Sequence, residues 1–378
     1  AMDKGLLTQT EVNKAITAAN KIAKAKKDYE KLFKEPANFQ KLQQWVEHTI
    51  SSTVVIDDDN EGNNSSTSTS FIFSFEQLIY GGLIASRTGN ETLSTIMGRL
   101  EWLVSLKQKY QGIKFYCSTT VMRIPSYNGD FEEPWYWEYY GKDLFEYSFY
   151  SSRYINLKNK SDLIEANRYK SLVPSNVLDK FLWRRERNFN ITFTLFHFQQ
   201  KYHSMFDSLY LTLDDTGTYG FNVDEALKLK ELKASLKLND DIVRIYPGAD
   251  EVESCLLSKM IVQDSLKKPN ILIQWRVPNA TNLIPNYENQ PIIETVTDQL
   301  EACGGNVLTK KIFINDVPDI VFAVNNFANI PQLEASQQIQ NPVSDYSKVF
   351  DDLTKECNNN NNNNKGTITP ITTTTTTT

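Results

Sequence analysis

The sequence predicts an α/β protein in which a parallel sheet is covered by outer helices. Short apolar runs bounded by turn residues, such as LYLTL at residues 209–213, are typical of buried strands in parallel sheets. Such runs alternate with helical patterns along most of the chain, which is the order expected of βαβ units. This alternation fits an incomplete (β/α) barrel-like sheet and an open doubly wound sheet equally well.

The elements follow from local pattern. Apolar, β-branched or aromatic runs between turn residues predict strands at residues 71–75, 114–119, 209–213, 242–246, 271–276 and 319–325. Apolar residues at intervals of three and four predict helices within residues 9–50 and at 91–109, 175–203, 223–236, 250–265 and 292–303. An aromatic stretch at residues 125–150 is predicted to be irregular.

Length and composition limit the organisation of the chain. Its 378 residues are 40% hydrophobic and 12% aromatic, which is typical of a globular protein. We predict a single α/β domain over residues 1–350. Within it, the polar residues 57–70 form a disordered insert, and residues 351–378 form a low-complexity tail rich in Asn and Thr.

The net charge and the cysteine content limit the classes of binding partner and the cellular compartment that we expect. The net charge of −6 disfavours nucleic acid, and no apolar run has the roughly 18 to 20 residues that span a membrane. Four scattered cysteines without a CxxC motif favour free thiols and a cytoplasmic location. Three histidines leave little for a zinc site. We therefore expect a small-molecule or carbohydrate ligand, and neither nucleic acid nor a membrane as partner.

Two adjacent carboxylates, Asp214 and Asp215, follow the apolar run at residues 209–213. In parallel α/β proteins the chemistry lies in loops at the carboxyl ends of strands. Two carboxylates that close a buried strand carry a desolvation cost unless they are used or paired. Because side chains alternate along a strand, we expect one of them to enter a cleft and the other to cap the turn.

Polar groups also follow the first two strands. After the first come Tyr80, Gly81, Gly82 and Arg87, where the glycines would let a ligand approach the backbone and Arg87 would bind an anion. The alternative is an ordinary glycine turn with a structural arginine. After the second strand comes Arg123, and then two glutamates beside the aromatic residues 135–137. Aromatic faces and carboxylates together suit a sugar ring, and aromatic packing against a helix layer is the alternative.

Carboxylates follow the later strands as well. Asp250 is placed as the N-cap of a helix, with Glu251 in its first turn. Tyr287 and Glu288 follow the fifth strand through a loop that contains proline. Because the carboxyl ends of parallel strands share one edge, the convergence of these loops predicts a site.

Four motifs follow one another along the chain: YGGLIASR (80–87), LDDTGTYG (213–220), PGADEVESCLLSK (247–259) and IPNYENQP (284–291). In these motifs and their order, and in WRRERNFN at residues 183–190, the chain resembles a largely bacterial, uncharacterised family that is catalogued as domain of unknown function 4127. The resemblance covers about residues 39–325. Family members usually begin with a strand that ends in Asp–Arg–Pro, and this sequence has no such segment before its first strand. The resemblance therefore implies a chain that is incomplete, inactive or differently assembled, and it implies no settled activity.

Three functions are consistent with these residues. The first is a hydrolase for a carbohydrate-like substrate that needs no cofactor. Its catalytic pair would be Asp214 or Asp215 with Glu251 or Glu288, with opposing carboxyl oxygens about 5 to 10 Å apart. Its substrate-binding residues would be Tyr80, Gly81, Gly82, Arg87, Arg123, Tyr219, Asp250 and Tyr287. The alternatives are a hydrolase or lyase that uses Mg²⁺ or Mn²⁺, and a ligand-binding protein without catalysis.

Overall fold

The computed structural model describes residues 35–54, 69–110, 112–265, 267–308 and 318–326. Its strands are β1 (Ser70–Ser74), β2 (Lys114–Val121), β3 (Ser208–Leu213), β4 (Val243–Pro247), β5 (Asn270–Trp275), β6 (Asn306–Leu308) and β7 (Ile320–Val324). Its α-helices are α1 (Phe39–Val54), α2 (Leu83–Thr88), α3 (Leu93–Lys109), α4 (Trp137–Leu157), α5 (Lys160–Leu172), α6 (Ser175–Tyr202), α7 (Phe221–Ser235), α8 (Val252–Asp264) and α9 (Ile292–Ala302). The predictions for residues 9–34, for the insert up to residue 68 and for the tail at 351–378 lie outside the described residues.

The first four strands form one parallel sheet in the order β1-β2-β3-β4. All residues of β3 are buried, because β2 and β4 flank it and helices cover both faces of the sheet. A strand covered on both faces is apolar along its length, which explains the continuous LYLTL run. The predicted α/β class is confirmed. The sheet is open, with β1 and β4 at its edges, and no barrel closes among the described residues.

Aromatic side chains form the core between the first two strands. The rings of Phe71 and Phe73 stack with centroids 5.4 Å apart, and the centroid of Phe115 lies 5.6 Å from that of Phe73. Val46 and Ile50 of α1 belong to the same buried cluster. Packing of large rings fixes the relative position of β1 and β2, whose carboxyl ends carry polar groups discussed below.

A π-helical turn, Glu76–Tyr80, links β1 to the loop that follows it. The buried carboxylate of Glu76 accepts hydrogen bonds from Thr119 Oγ1 at 3.0 Å and from the Thr120 amide at 2.9 Å. Burial raises the pKa of Glu76, and these hydrogen bonds oppose the rise. Glu76 therefore ties the turn to β2 and fixes where the chain leaves the sheet.

A second sheet has the order β6-β5-β7, with β5 parallel to β6. The described residues divide into two compact units, of which the first takes in those within 35–272 and 284–320 and the second those within 273–283 and 321–326. Every residue of the candidate site lies in the first unit. One domain over residues 1–350 stays a prediction.

Two local predictions are corrected. The aromatic stretch is helical from Trp137 onward, because Trp137, Gly141 and Leu144 recur at helical spacing and face a buried cluster with Phe181. Helix α8 begins at Val252 with Glu251 as its N-cap residue, so the prediction that Asp250 caps this helix is wrong. The short strand β6 was not predicted, because three residues carry too little pattern.

Candidate functional site

Six charged side chains meet at the carboxyl ends of β1, β2 and β3. Together they form what we call the ion-paired cluster, which contains Arg87, Arg123, Glu132, Glu133, Asp214 and Asp215. Helix α2 supplies Arg87, the loop after β2 supplies Arg123 and the two glutamates, and the end of β3 supplies the two aspartates. The parallel register brings these three strand ends to one edge, as the sequence predicts.

Arg123 uses every nitrogen of its guanidinium group within the cluster. Its Nε lies 3.0 Å from Glu133 Oε1, its Nη2 2.5 Å from Glu132 Oε2, and its Nη1 2.7 Å from Asp215 Oδ2. Burial acts to lower the pKa of Arg123, but the charges of Glu133 and Asp214 outweigh it and raise that pKa. Arg123 is therefore a fixed cation that holds three carboxylates.

Arg87 is the most deeply buried member of the cluster, with a side chain only 2% exposed. Its Nη2 pairs with Asp214 Oδ2, and its Nη1 lies 3.6 Å from Glu133 Oε1 and 3.7 Å from Glu132 Oε2. Its Nε has no hydrogen-bond acceptor among the residues that the structure describes. Arg87 therefore has one buried donor without a hydrogen bond, while its two terminal nitrogens form ion pairs with carboxylates.

Asp214 and Asp215 both point towards the guanidinium groups, although adjacent side chains of a strand normally diverge. Asp215 leaves the strand with a φ of 40°, a left-handed conformation that Asp tolerates better than most residues. The expectation that one aspartate would turn away to cap the turn is therefore wrong, because both bind arginines and the alternation of the strand ends with β3 at Leu213. Burial raises the pKa of Asp214, and the charges of Arg87 and Arg123 oppose that rise.

Helix α6 binds both the end of α2, which carries Arg87, and the loop that carries Arg123. Arg187 donates to the Ser86 carbonyl at 2.7 Å, and both Arg187 and Arg184 donate to the Gly89 carbonyl at the end of α2. Arg185 donates to the Met122 carbonyl at 2.9 Å, next to Arg123. These arginines of the WRRERNFN motif satisfy carbonyls at a short helix end and a strand end. They position the cluster from outside it.

A second group of acids lies in the loops that follow β4 and β5. Glu251 accepts a hydrogen bond from the amide of Gln299, and Glu288 accepts one from the hydroxyl of Thr295, both on α9. We call Glu251 and Glu288 the acid pair. Burial raises the pKa of each, the charge of Asp250 adds to the rise at Glu251, and that of Glu251 adds to the rise at Glu288. Among the described residues, neither forms a salt bridge with a basic side chain.

The ion-paired cluster and the acid pair are connected. The Thr216 amide donates to the Tyr287 carbonyl at 2.8 Å, which joins the loop after β3 to the loop that carries Glu288. The charge of Asp250 contributes to the raised pKa of Asp214 as well as to that of Glu251. The Tyr287 side chain is 67% exposed, and its backbone adopts a left-handed φ of 66°.

The remaining predicted binding residues are placed as follows. Tyr80 is buried, with its ring centroid 4.8 Å from the guanidinium carbon of Arg187. Gly81 has a φ of 89°, and a Cβ there would lie 2.7 Å from the Ala37 amide nitrogen, so the chain needs glycine for this close approach. The half-buried ring of Tyr219 packs edge-on against Phe149, 5.8 Å away. Among the described residues, none of these three forms a hydrogen bond or an ion pair with the ion-paired cluster.

A pocket of about 430 Å³ opens beside Arg87. Its lining also includes Glu35, Ala37, Gln77, the Gly81–Gly82 turn, the first residues of α2 and Glu132. Gly81, Gly82 and Arg87 were all predicted to bind a ligand, and here they border one concave space. The volume falls within the range of about 300 to 1,000 Å³ that is usual for small-molecule sites.

Two further properties bear on the predicted chemistry. Across the described ranges, no three His, Cys, Asp or Glu side chains form a group that could hold a metal ion. Among the helices that the structure describes, none combines the length and the apolar character needed to cross a membrane.

Several partners in the cluster were not predicted from the sequence. Glu132 and Glu133 drew attention only as neighbours of aromatic residues, although they bind both arginines. Arg185 lies in a long helix whose pattern gives no hint that its side chain supports a loop. The burial of Arg185, which marks an arginine with a partner, is visible only in the structure.

Comparison with known proteins identifies a family without a described activity. The family model described as "Protein of unknown function (DUF4127)" matches residues 12–365, a longer span than the residues 39–325 that carry the sequence motifs. No curated protein and no solved structure matches the chain.

Proposed function

The chain belongs to the DUF4127 family. For this family member we propose a function as a hydrolase that acts on a carbohydrate-like substrate. The family description gives no reaction, so the proposal depends on the site. One observation carries it: carboxylates in different electrostatic environments lie on loops that a backbone hydrogen bond, from the Thr216 amide to the Tyr287 carbonyl, connects. Guanidinium groups surround the first set, whereas only an amide and a hydroxyl donate to the second.

Such a division of environments is what acid–base cleavage by two carboxyl groups requires. Asp215, paired with Arg123 and 38% exposed, is the candidate for the carboxylate that attacks the substrate or activates water. Glu251 and Glu288 are the candidates for the protonated acid, since burial raises the pKa of both. The acid would donate its proton to the leaving oxygen, and the other carboxylate would act at the opposite face.

A panel of aryl glycosides tests this assignment. We expect the wild type to cleave at least one member, and Asp215→Asn to lower kcat by about 10²- to 10⁴-fold. Glu251→Gln or Glu288→Gln, whichever is the acid, should lose similar activity on a poor leaving group. The same variant should keep most of its activity on a dinitrophenyl glycoside, because that leaving group departs without a proton.

Asp264→Asn is the matched control, because Asp264 lies at the far end of α8 and pairs with Lys114 on the surface. It should keep full activity. The proposal fails if folded wild-type protein cleaves no member of the panel, or if Asp215→Asn has wild-type activity.

A ligand-binding protein without catalysis is the second candidate, and the pocket beside Arg87 favours it. It predicts thermal stabilisation by ligand without turnover. The Mg²⁺ or Mn²⁺ alternative has no comparable support, since the described residues lack a grouped set of metal ligands.

A further inference from the structure

The pocket beside Arg87, which we call the Gly81–Gly82 pocket, has a lining of mixed character. Its lining includes two acidic residues, Glu35 and Glu132, the polar residue Gln77, and three apolar residues, Leu83, Ile84 and Ala85. Apolar walls with a few convergent polar groups are the usual lining of a small-molecule site. The polar groups therefore decide which ligand fits.

Arg87 provides the first constraint. It lines the pocket, its side chain is only 2% exposed, and its Nη1 lies 3.6 Å from Glu133 Oε1 and 3.7 Å from Glu132 Oε2, which is longer than a hydrogen bond. A buried donor is stabilised by any oxygen that can accept its hydrogen bond. The ligand should therefore offer an acceptor oxygen.

Glu132 provides the second constraint. Both of its contacts with arginines use Oε2, namely Arg123 Nη2 at 2.5 Å and Arg87 Nη1 at 3.7 Å. Its second carboxylate oxygen can accept a hydrogen bond from a ligand, since the side chain is 35% exposed. The ligand should therefore offer a donor close to its acceptor.

The local charge provides the third constraint. The ion-paired cluster sets two guanidinium groups against four carboxylates, and Glu35 adds another carboxylate to the pocket. An anion such as a phosphate or a carboxylate would meet excess negative charge. An ammonium group would suit the carboxylates but could not accept from Arg87. A hydroxyl group meets both needs, because it accepts from Arg87 and donates to Glu132.

We infer that the Gly81–Gly82 pocket binds a neutral polyhydroxylated ring, such as a sugar or a cyclitol, through vicinal hydroxyl groups. This inference rests on the proposed function, for which it supplies the subsite that recognises the substrate. It concerns binding alone, so it can be tested without turnover.

Titration calorimetry with hexoses of different configuration and with myo-inositol tests the inference on the wild-type chain. We expect at least one neutral member to bind, and its phosphate ester to bind at least 10-fold more weakly. Gln77→Trp, which fills the pocket from an exposed position, should weaken binding of the neutral member at least 10-fold.

Gln108→Trp is the matched control, because Gln108 is also an exposed glutamine that lines a concave surface, beside Lys107 and Tyr202. It should bind the ligand like the wild type. Glu132→Gln adds a second test, since it removes charge but keeps the size of the side chain. It should reduce the preference for the neutral ligand over its phosphate. Thermal melting checks that Gln77→Trp, Gln108→Trp and Glu132→Gln are all folded.

The inference is overturned if no neutral member binds, if the phosphate binds more tightly, or if Gln77→Trp binds like Gln108→Trp. These outcomes are separate from failure of the proposed function. Loss of binding in Gln77→Trp without any turnover by the wild type would support the subsite and reject the hydrolase. Turnover that Gln77→Trp leaves unchanged would do the reverse.

Discussion

The ion-paired cluster and the acid pair lie on loops that a backbone hydrogen bond connects, yet they hold their carboxylates in different ways. In the cluster, Arg87 and Arg123 neutralise Asp214 and its neighbours. In the acid pair, Glu251 and Glu288 receive hydrogen bonds only from neutral donors of α9. Burial raises the pKa in both regions, but guanidinium charge opposes it only in the first. Position at a strand end therefore locates an acid, and its partner decides its chemistry.

The difference also separates stability from reactivity. A buried carboxylate whose guanidinium partner is removed becomes an uncompensated charge, which is strongly destabilising. A carboxylate bonded to a hydroxyl can take up a proton and become neutral, so loss of that donor costs much less. We therefore expect the cluster to stabilise the fold, with Asp215 as its exposed carboxylate. We expect the acid pair to take up and release protons.

The largest expected effect comes from removing Arg123, which hydrogen-bonds to three carboxylates and also forms an ion pair with Asp214. Arg123→Met should lower the free energy of unfolding by about 3 to 5 kcal/mol, because Glu133 and Asp214 lose a partner while buried. Urea denaturation measures this change. Arg168→Met is the control, since the exposed pair of Arg168 with Glu165 should contribute about 0 to 1 kcal/mol. Equal losses in the two variants would remove the distinction between the cluster and an ordinary surface pair.

An intermediate effect should follow from deleting a neutral donor of the acid pair. Thr295→Val keeps the shape of the buried side chain but removes the hydroxyl that donates to Glu288. We expect a loss of about 0.5 to 1.5 kcal/mol at neutral pH, measured by the same denaturation. Thr194→Val is a suitable control, because the Thr194 hydroxyl donates only within α6, to the Asn190 carbonyl. A loss as large as that of Arg123→Met would show that the acid pair depends on Thr295 as the cluster depends on Arg123.

The smallest effect concerns the pH dependence of stability. The folded-state pKa values of Glu251 and Glu288 are raised above their ordinary value of 4.5. Their stabilising contribution is therefore fully present below pH 4.5 and is lost as the pH rises through the folded pKa. We expect the decrease in unfolding free energy over that window to become shallower in Glu251→Gln, and shallower still when Glu288→Gln is added. A slope that stays the same in the double variant would contradict the assignment of raised pKa values.

The sequence motifs selected four charged residues that the structure brings together, but they misassigned a helix cap. Asp214, Asp215, Arg87 and Arg123 were all selected from strand ends, and the structure joins them in one cluster. Asp250 was taken as a helix cap, yet the helix starts after Glu251. Tyr80 was selected for its place beside two glycines, and the structure buries it in the core. A motif shows which residues are near in sequence, and a strand end turns only some of them towards solvent.

Local pattern by itself determined the α/β class, most element positions and the edge at which the polar groups collect. Periodicity and turn residues are local properties, so the sequence displays them directly. Only the tertiary structure decided which carboxylate is paired and which is free to hold a proton. Arg87 and Asp214 are 127 residues apart, and Arg123 and Asp215 are 92 apart. Burial and Coulomb interaction depend on distance in space, so the chemistry of these acids is fixed only when the sheet brings its strand ends together.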